Sequence, residues 1–155
     1  MQYDVIVIGA GPAGASAARR LAQQNLKVLL LERFRLPRTK PCGGGLTSHA
    51  LSLLDFDISP VIEAHARRVF FSYDSGAPVE QTFREPSVWM VMRDRFDAFL
   101  TQKAIQAGAV LQDGARVESV QADGDEVSVR AGSETHRARF VVGADGANGI
   151  TAKAS

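Results

Sequence analysis

Residues 4–14 read Asp-Val-Ile-Val-Ile-Gly-Ala-Gly-Pro-Ala-Gly, an apolar run that leads directly into a glycine-rich turn. The run at residues 5–8 is typical of a buried parallel strand. Gly9, Gly11 and Gly14 follow it with the G-x-G-x-x-G spacing. In that pattern the first glycine permits a tight turn, the second lets the backbone approach a pyrophosphate, and the third lets a helix pack closely on the strand. The stretch therefore predicts a dinucleotide site within an α/β fold.

The segment after the glycines agrees with this prediction. Residues 13–24 predict a helix, and Pro12 suits its first turn because the missing N–H would be unpaired there anyway. Residues 27–31, Lys-Val-Leu-Leu-Leu, predict a second buried strand that ends at Glu32. A Rossmann pattern has an acid roughly 20 residues after the glycines, where it accepts a hydrogen bond from a ribose hydroxyl. Because a carboxylate repels a 2′-phosphate, Glu32 favours FAD or NAD over NADP.

Composition narrows the class of protein. The 155 residues carry a net charge of +1 and their arginines are scattered, so the charge pattern gives no reason to expect nucleic acid as a partner. Cys42 is the only cysteine, which excludes an internal disulfide framework and fits a reducing compartment. The histidines lack metal-ligand spacing, so no metal site is predicted. Since the first strand begins almost at Met1, we expect a cytoplasmic protein without a signal peptide.

The middle of the chain is organised differently. A basic loop at residues 33–41 and a run of three glycines lead to a short helix predicted at residues 46–54. Three predicted strands then form an antiparallel patch that suits the floor of a substrate pocket, and a longer helix follows with Asp94 as its N-cap. The strands are expected at residues 68–73, 79–83 and 88–92, and the helix at residues 94–107.

The last part of the sequence returns to short strands. A strand is predicted around Val110, and strands at residues 116–120 and 127–130 form a hairpin. A final strand at residues 139–143 delivers Ala144-Asp145-Gly146 at its end. Together the elements predict an α/β, Rossmann-like fold, with a parallel sheet, helices and an inserted antiparallel β patch.

Three further motifs point to a family. They are the run Pro-Arg-Thr-Lys-Pro-Cys-Gly-Gly-Gly-Leu at residues 37–46, Arg93 followed by Phe96-Asp97 and Leu100, and Gly-Ala-Asp-Gly-Ala-Asn at residues 143–148. In this order after the glycine turn, the chain resembles the flavoprotein group that includes p-hydroxybenzoate hydroxylase, and more closely the geranylgeranyl reductase family. The resemblance implies an FAD-dependent oxidoreductase that reduces carbon–carbon double bonds of isoprenoid chains, with NAD(P)H as the electron donor.

The resemblance also implies roles for particular residues. Cys42 is a candidate catalytic residue, since a thiol can supply the proton that completes the reduction of a double bond. Simpler alternatives are a small buried side chain for Cys42, an exposed charge for Arg93 and an ordinary turn residue for Asp145. The implied cofactor-binding residues are Gly9, Gly11, Ala13 and Gly14 at the pyrophosphate, Glu32 at the ribose, Arg33 after it, Lys40, Cys42 and Gly43 on the isoalloxazine side, Arg93 at the flavin, Val117 beside the adenine, and Asp145 and Gly146 in a second FAD fingerprint.

The same resemblance implies a division of the chain and a class of substrate. Residues 1–60 hold the FAD-binding βαβ unit and the flavin-side loop, residues 61–92 an inserted segment of the substrate domain, and residues 93–155 return to the FAD-binding domain. The later Gly-Asp motif of complete family members is absent from the sequence, so we expect an N-terminal fragment. The expected partner is an isoprenoid lipid or a prenylated small molecule, with peripheral contact to a membrane. An FAD-dependent aromatic monooxygenase or halogenase, and a non-catalytic dinucleotide-binding fragment, are the alternatives.

Overall fold

The computed structural model describes residues 2–153. Within them the α-helices are α1 (Pro12–Gln23), α2 (Ser48–Ser52) and α3 (Arg93–Gln106), and short 3-10 helices lie at Ser59–Val61 and Thr151–Lys153. The strands are β1 (Tyr3–Ile8), β2 (Val28–Glu32), β3 (Gly45–Thr47), β4 (Ile62–Ala66), β5 (Arg68–Phe71), β6 (Val79–Thr82), β7 (Val88–Val91), β8 (Val110–Asp113), β9 (Val117–Asp123), β10 (Glu126–Ala131) and β11 (Glu134–Gly143).

These elements form two compact units. Unit 1 contains the chain up to Arg38 and from Asp97 onward, and unit 2 contains residues 39–96. Residues 39–60 lie in unit 2, whereas the sequence analysis placed them with the dinucleotide-binding segment. The physical reason is strand pairing, because β3 forms an antiparallel ladder with β7.

Unit 1 is built on a six-stranded sheet with the order β8-β2-β1-β11-β10-β9. β8, β2, β1 and β11 run parallel, and β10 and β9 continue the sheet as an antiparallel hairpin. The register sets Ile8 opposite Leu31 on one side and Gly143 on the other, so three carboxyl strand ends meet at one edge. Open α/β sheets bind their ligands at such an edge. The predicted α/β fold, a largely parallel sheet with additional antiparallel strands, is confirmed.

Alternating side chains of the central strands build the core of unit 1. Val7 is fully buried in a cluster with Ala18 of α1 and Ala104 of α3. The neighbouring Ile6 points to the other face of the strand and packs in a second cluster with Val129 of β10. Because alanine is small, the alanines at the helix contacts let the backbones of α1 and α3 lie close to the sheet. This close packing positions the glycine-rich turn.

Unit 2 contains the inserted antiparallel strands. β3, β7 and β4 form a three-stranded sheet, and β5 pairs with β6 in a separate hairpin. The sequence analysis missed β3 and β4. β3 is only three residues long, and the central residues of β4 are exposed, so neither has the apolar alternation that predicts a strand. The helix predicted at residues 46–54 is correspondingly shortened to α2, which Thr47 caps by accepting a hydrogen bond from the N–H of Ala50 at 3.2 Å.

The helix predicted at residues 94–107 exists as α3, but it begins one residue earlier. The N-cap prediction for Asp94 is therefore wrong, because this residue already lies in the first turn. Its carboxylate accepts a hydrogen bond from the N–H of Arg95 at 2.8 Å, and a negative charge is favourable at that end of a helix. None of the helices within residues 2–153 has the length and apolarity needed to cross a membrane.

Val7 and Val110 offer a matched test of this core. Val7 is fully buried on β1, whereas Val110 is 51% exposed on β8 of the same sheet. We expect Val7→Ala to lower the free energy of unfolding by about 2 kcal/mol, since it removes two buried carbon groups and leaves a cavity. Val110→Ala should change it by less than about 0.5 kcal/mol. Urea unfolding of both variants checks this expectation, and equal effects would contradict the assignment of β1 to the core.

Candidate dinucleotide site

The glycine-rich turn lies at the carboxyl end of β1. Gly9 has a φ of +102°, a conformation that L side chains rarely adopt, and its N–H donates to the carbonyl of Leu31 at 2.7 Å. A Cβ on Gly9 would overlap the carbonyl oxygen of Ala144, and a Cβ on Gly14 would overlap the carbonyl oxygen of Gly9. The fold itself therefore requires glycine at both positions, as the motif predicts.

Gly11 is different because the fold does not require it. Its φ of −75° suits any residue, and a Cβ there would have as its nearest heavy atom the Nη2 of Arg38, at 3.8 Å. The backbone thus leaves open space directly before α1. Within the described residues this helix has no side-chain cap and no acid in its first turn, so its first N–H groups face that space without a competing carboxylate. A pyrophosphate fits this arrangement of glycine backbone and helix N-terminus.

Glu32 ends β2 beside this turn and is 4% exposed. Its Oε2 accepts a hydrogen bond from the N–H of Ala10 at 2.9 Å, and its Oε1 accepts one from the N–H of Phe34 at 3.2 Å. The Nε of Arg38 lies 3.4 Å from the same Oε1. The two backbone N–H groups are hydrogen-bond donors, whereas Arg38 is an ion-pair partner of Oε1. A carboxylate oxygen has about two lone-pair positions, so Oε2, with one N–H among the described residues, has a position for a ribose hydroxyl.

Arg38 joins Glu32 to a second buried carboxylate. Its Nη1 lies 2.9 Å from Oδ2 of Asp97, whose side chain is fully buried on α3. The backbone carbonyl of Asp97 accepts a hydrogen bond from the hydroxyl of Thr101 at 2.9 Å, within the same helix. The sequence analysis quoted Arg38 and Asp97 within motifs but assigned neither to the site. The sequence did contain a signal for them. Each lies in a motif that also contains residues assigned to the cofactor.

Asp145 lies where β11 ends beside the glycine-rich turn. The backbone there is held to β1, because the N–H of Ala144 donates to the carbonyl of Ile8 at 2.8 Å. The carboxylate of Asp145 accepts hydrogen bonds from the hydroxyl of Thr151 and from the N–H of Thr151, the latter at 3.2 Å. A Cβ on Gly149 would overlap the carboxylate of Asp145. The structure therefore places Asp145 at the predicted edge and gives its charge a partner within its own turn.

The pKa of Asp145 reflects this turn. Burial by itself raises the pKa of the carboxyl, but hydrogen bonds from the side chain and backbone of Thr151 favour the charged form more strongly. The net result is a pKa below the ordinary value of 3.8. Asp145 is thus an ionised acceptor at neutral pH. Gly146 follows it with a φ of +86°, which continues the turn.

Two further predicted residues of unit 1 lie away from these contacts. The side chain of Arg33 is exposed, and its guanidinium stacks 4.7 Å from the ring centre of Phe34. Val117 begins the edge strand β9 and packs against the buried cluster that contains Ile6 and Leu31. Their assignment to the cofactor stays a prediction.

The other predicted site residues belong to unit 2. Lys40, Cys42 and Gly43 lie in an exposed loop, so the alternative of a buried Cys42 is wrong. Gly44 anchors this loop to β7. Its φ is +71°, a Cβ there would overlap the carbonyl of Val91, and its own carbonyl accepts a hydrogen bond from the N–H of Val91 at 2.9 Å. The loop therefore has one fixed point with an exposed thiol beside it.

Arg93 is the first residue of α3 and its side chain is half-buried. The alternative of a simple exposed charge is therefore wrong. The resemblance assigns the flavin cofactor as a contact of Arg93. That assignment stays a prediction.

Comparison with known proteins gives independent evidence on the family of the chain. A protein family described as FAD binding domain matches residues 2–155. An uncharacterized protein of Methanosarcina barkeri is 39% identical over 149 residues, which cover 96% of this chain and 38% of that protein. A probable electron transfer flavoprotein-quinone oxidoreductase of Escherichia coli is 36% identical over 157 residues, which cover 97% of this chain and 37% of that protein. The chain thus spans less than two fifths of the length of these relatives.

Solved structures agree with the family match. A geranylgeranyl bacteriochlorophyll reductase-like protein of Thermoplasma acidophilum has a TM-score of 0.80 and 26% identity, over 93% of this chain and 39% of that one. The halogenase PltM in complex with phloroglucinol and FAD has a TM-score of 0.81 over 99% of this chain and 36% of that one. At 22% identity the likeness to PltM concerns the fold alone. The resemblance inferred from the motifs is confirmed by these matches.

Substitutions at Gly11 and Gly14 distinguish a glycine required for ligand binding from a glycine required for folding. We expect Gly14→Ala to lower the melting temperature, because its Cβ has no room beside Gly9. Gly11→Ala should leave the melting temperature unchanged and weaken FAD binding at least about tenfold, since the methyl group occupies the pyrophosphate position. Thermal unfolding and titration with FAD measure the two effects. Unchanged affinity for FAD in the Gly11 variant would contradict the placement of the pyrophosphate.

The Asp145 turn predicts a particular pH dependence. Because the folded-state pKa of Asp145 is below 3.8, the unfolded chain binds more protons between the two pKa values. The stabilisation is therefore complete above the unfolded pKa and is lost as the pH falls through the folded pKa. We expect Asp145→Asn to destabilise the chain at about pH 6, and we expect this effect to shrink as the pH falls below 3.8.

Thr151→Val tests the cause of this shift. It removes the hydroxyl donor and should raise the pKa of Asp145 in an NMR titration of its carboxyl carbon. Thr135→Val, on an exposed position of β11, is the control. A Thr151 variant with an unshifted pKa would show that the hydroxyl is not the cause.

Proposed function

Because the chain belongs to the FAD binding domain family, we propose that it is the cofactor-binding part of an FAD-dependent oxidoreductase that reduces carbon–carbon double bonds of isoprenoid chains. The observation that carries this proposal is the likeness to the geranylgeranyl bacteriochlorophyll reductase-like protein of Thermoplasma acidophilum, at a TM-score of 0.80 over 93% of the chain. The Lys-Pro-Cys-Gly-Gly-Gly-Leu run at residues 40–46 supports the same reaction.

The residues of unit 1 hold the cofactor in this proposal. The backbone at Gly11 and the first N–H groups of α1 bind the pyrophosphate, and Glu32 accepts a hydrogen bond from the adenosine ribose. Asp145 presents an ionised carboxylate at the end of β11, suited to accept a hydrogen bond from a further hydroxyl of the cofactor. We assign FAD rather than NAD to these contacts, because the family to which the chain belongs is described as FAD binding domain.

The residues of unit 2 serve the reaction. When bound, FAD supplies hydride transfer between NAD(P)H and the substrate. Reduction of an alkene needs a hydride on one carbon and a proton on the next, and the exposed thiol of Cys42 is the candidate source of that proton. Solvent water then returns a proton to the sulfur. Lys40 and Gly43 shape the loop around Cys42, and Arg93 contacts the flavin.

The proposed substrate determines which partner the protein is expected to bind and where in the cell it is expected to act. An isoprenoid lipid or a prenylated small molecule is found in or at a membrane, so the protein would meet its substrate by peripheral contact from the cytoplasm. Nucleic acid has no role in the proposal.

Electron transfer to a quinone is a second candidate function. The relative that supports it is the probable electron transfer flavoprotein-quinone oxidoreductase of Escherichia coli, at 36% identity over 157 residues. This reaction needs the same FAD site but no proton donor at Cys42. The alternative of an aromatic monooxygenase or halogenase has support from PltM at the level of the fold only.

One experiment separates the two candidates. The chain, and a chimera that joins it to the remaining part of the Methanosarcina barkeri relative, are loaded with FAD and reduced without oxygen. We expect geranylgeranyl diphosphate to gain one H2 per reduced double bond, detected by mass spectrometry, and Cys42→Ser to slow this step without changing FAD affinity. Rapid reoxidation by a quinone with no reduced isoprenoid product would instead support electron transfer. If neither a reduced isoprenoid nor reoxidation by a quinone is observed, the result counts against both candidates.

A further inference from the structure

The carboxylate assigned to the ribose is itself held by two residues outside the glycine motif. We propose that Arg38 and Asp97 are positioning residues, which orient the Glu32 carboxylate so that one oxygen faces a ribose hydroxyl of the cofactor. The inference rests on the assignment of Glu32 to the ribose made above. It does not depend on the identity of the substrate.

Arg38 decides which oxygen of Glu32 is available. Oε1 already receives the N–H of Phe34 at 3.2 Å and lies 3.4 Å from the Nε of Arg38. Oε2 receives only the N–H of Ala10 among the described residues, at 2.9 Å. Each oxygen has about two acceptor positions, so the guanidinium borders the second position of Oε1, whereas the second position of Oε2 has no partner among the described residues. Without the guanidinium, both oxygens would be open to a hydroxyl, and only the two backbone N–H groups would orient the carboxylate.

Asp97 in turn fixes Arg38. A guanidinium is planar and its N–H donors point in set directions, so two simultaneous contacts determine its plane. Arg38 makes these contacts through Nε to Glu32 and through Nη1 to Asp97, the latter at 2.9 Å. Arg38 lies in a loop, whereas Asp97 is fully buried on α3. The helix therefore supplies the rigidity that the loop lacks.

The remaining donor group of Arg38 lies towards the glycine-rich turn. A Cβ on Gly11 would be 3.8 Å from Nη2, so the guanidinium borders the space assigned to the pyrophosphate. Two carboxylates already face this one cation, which limits the charge it can offer to a phosphate. These contacts thus favour positioning of Glu32 over direct phosphate binding, and the two roles can be separated by the choice of ligand.

The test compares ADP with 2′,3′-dideoxy-ADP, which lacks both ribose hydroxyls. Binding to the 155-residue chain is measured by calorimetry, and melting temperatures are recorded in parallel. A hydrogen bond from a hydroxyl to a carboxylate should make the unaltered chain prefer ADP by about tenfold. Arg38→Lys keeps the charge but cannot make both contacts, and Asp97→Asn keeps the shape but weakens the hold on Arg38. In both variants we expect the preference to fall below about twofold.

Arg35→Lys is the matched control, because Arg35 lies in the same loop with an exposed side chain. It should keep the full preference for ADP. Adenosine is titrated as a third ligand, since it has the ribose hydroxyls but no phosphate.

Three results would overturn the inference. A lower melting temperature with an unchanged preference for ADP would show that Arg38 and Asp97 only stabilise the fold. Loss of ADP affinity with full retention of adenosine affinity would show that Arg38 contacts a phosphate. If the unaltered chain binds ADP without preferring it to the dideoxy ligand, the assignment of Glu32 to the ribose also fails. The proposed isoprenoid reaction is tested separately, by the mass spectrometry of geranylgeranyl diphosphate.

Discussion

The buried carboxylate of Glu32 is the constraint on which the cofactor site depends. An ionised carboxylate out of water is costly unless donors surround it, and the cost is several kcal/mol when they are missing. Here the donors come from the glycine-rich turn at Ala10, from the loop at Phe34 and from Arg38. Each donor ties a different segment to the end of β2. The contacts that stabilise this one charge therefore hold the turn and the loop in place, together with the contact that Arg38 makes with α3.

The sheet supplies the frame for that arrangement. β1 lies between β2 and β11, and all three end at the same edge. Gly9 and Gly14 are required by contacts within this frame, whereas Gly11 faces open space. In this motif, two glycines are therefore required by the packing of the fold and the third by the approach of the ligand. Conservation of spacing in such motifs follows from close packing at two positions and from ligand approach at the third.

In the proposed function, unit 1 binds the cofactor and unit 2 contributes the reactive group. In unit 1 the candidate contacts to the cofactor come from backbone groups and buried acids, which are rigid. In unit 2 the candidate reactive group is the exposed thiol of Cys42, in a loop anchored at Gly44. Proteins named as reductase, quinone oxidoreductase and halogenase match the chain over nearly its whole length. Such a range of names on one fold is expected, because function depends on the residues of the site and not on the fold.

Much of unit 1 could be predicted from the sequence, because its signals are local. The strand at residues 5–8, the helix after Pro12 and the acid at Glu32 depend on short-range apolar patterns, on glycine geometry and on a fixed spacing. The short β4 was missed because its central side chains are exposed, and Asp94 was misplaced because helix ends shift by a residue with little change in pattern.

The sequence by itself determined the fold class, the dinucleotide turn and the family, since each is written in contiguous residues. Only the tertiary structure decided what holds the site together. Arg38 and Asp97 are 59 positions apart, with all of unit 2 between them, and no local pattern relates them. Asp145 and Thr151 likewise meet only because a turn folds back on the end of β11. Buried charges find their partners in space, so the pairing of these residues follows from packing and not from spacing.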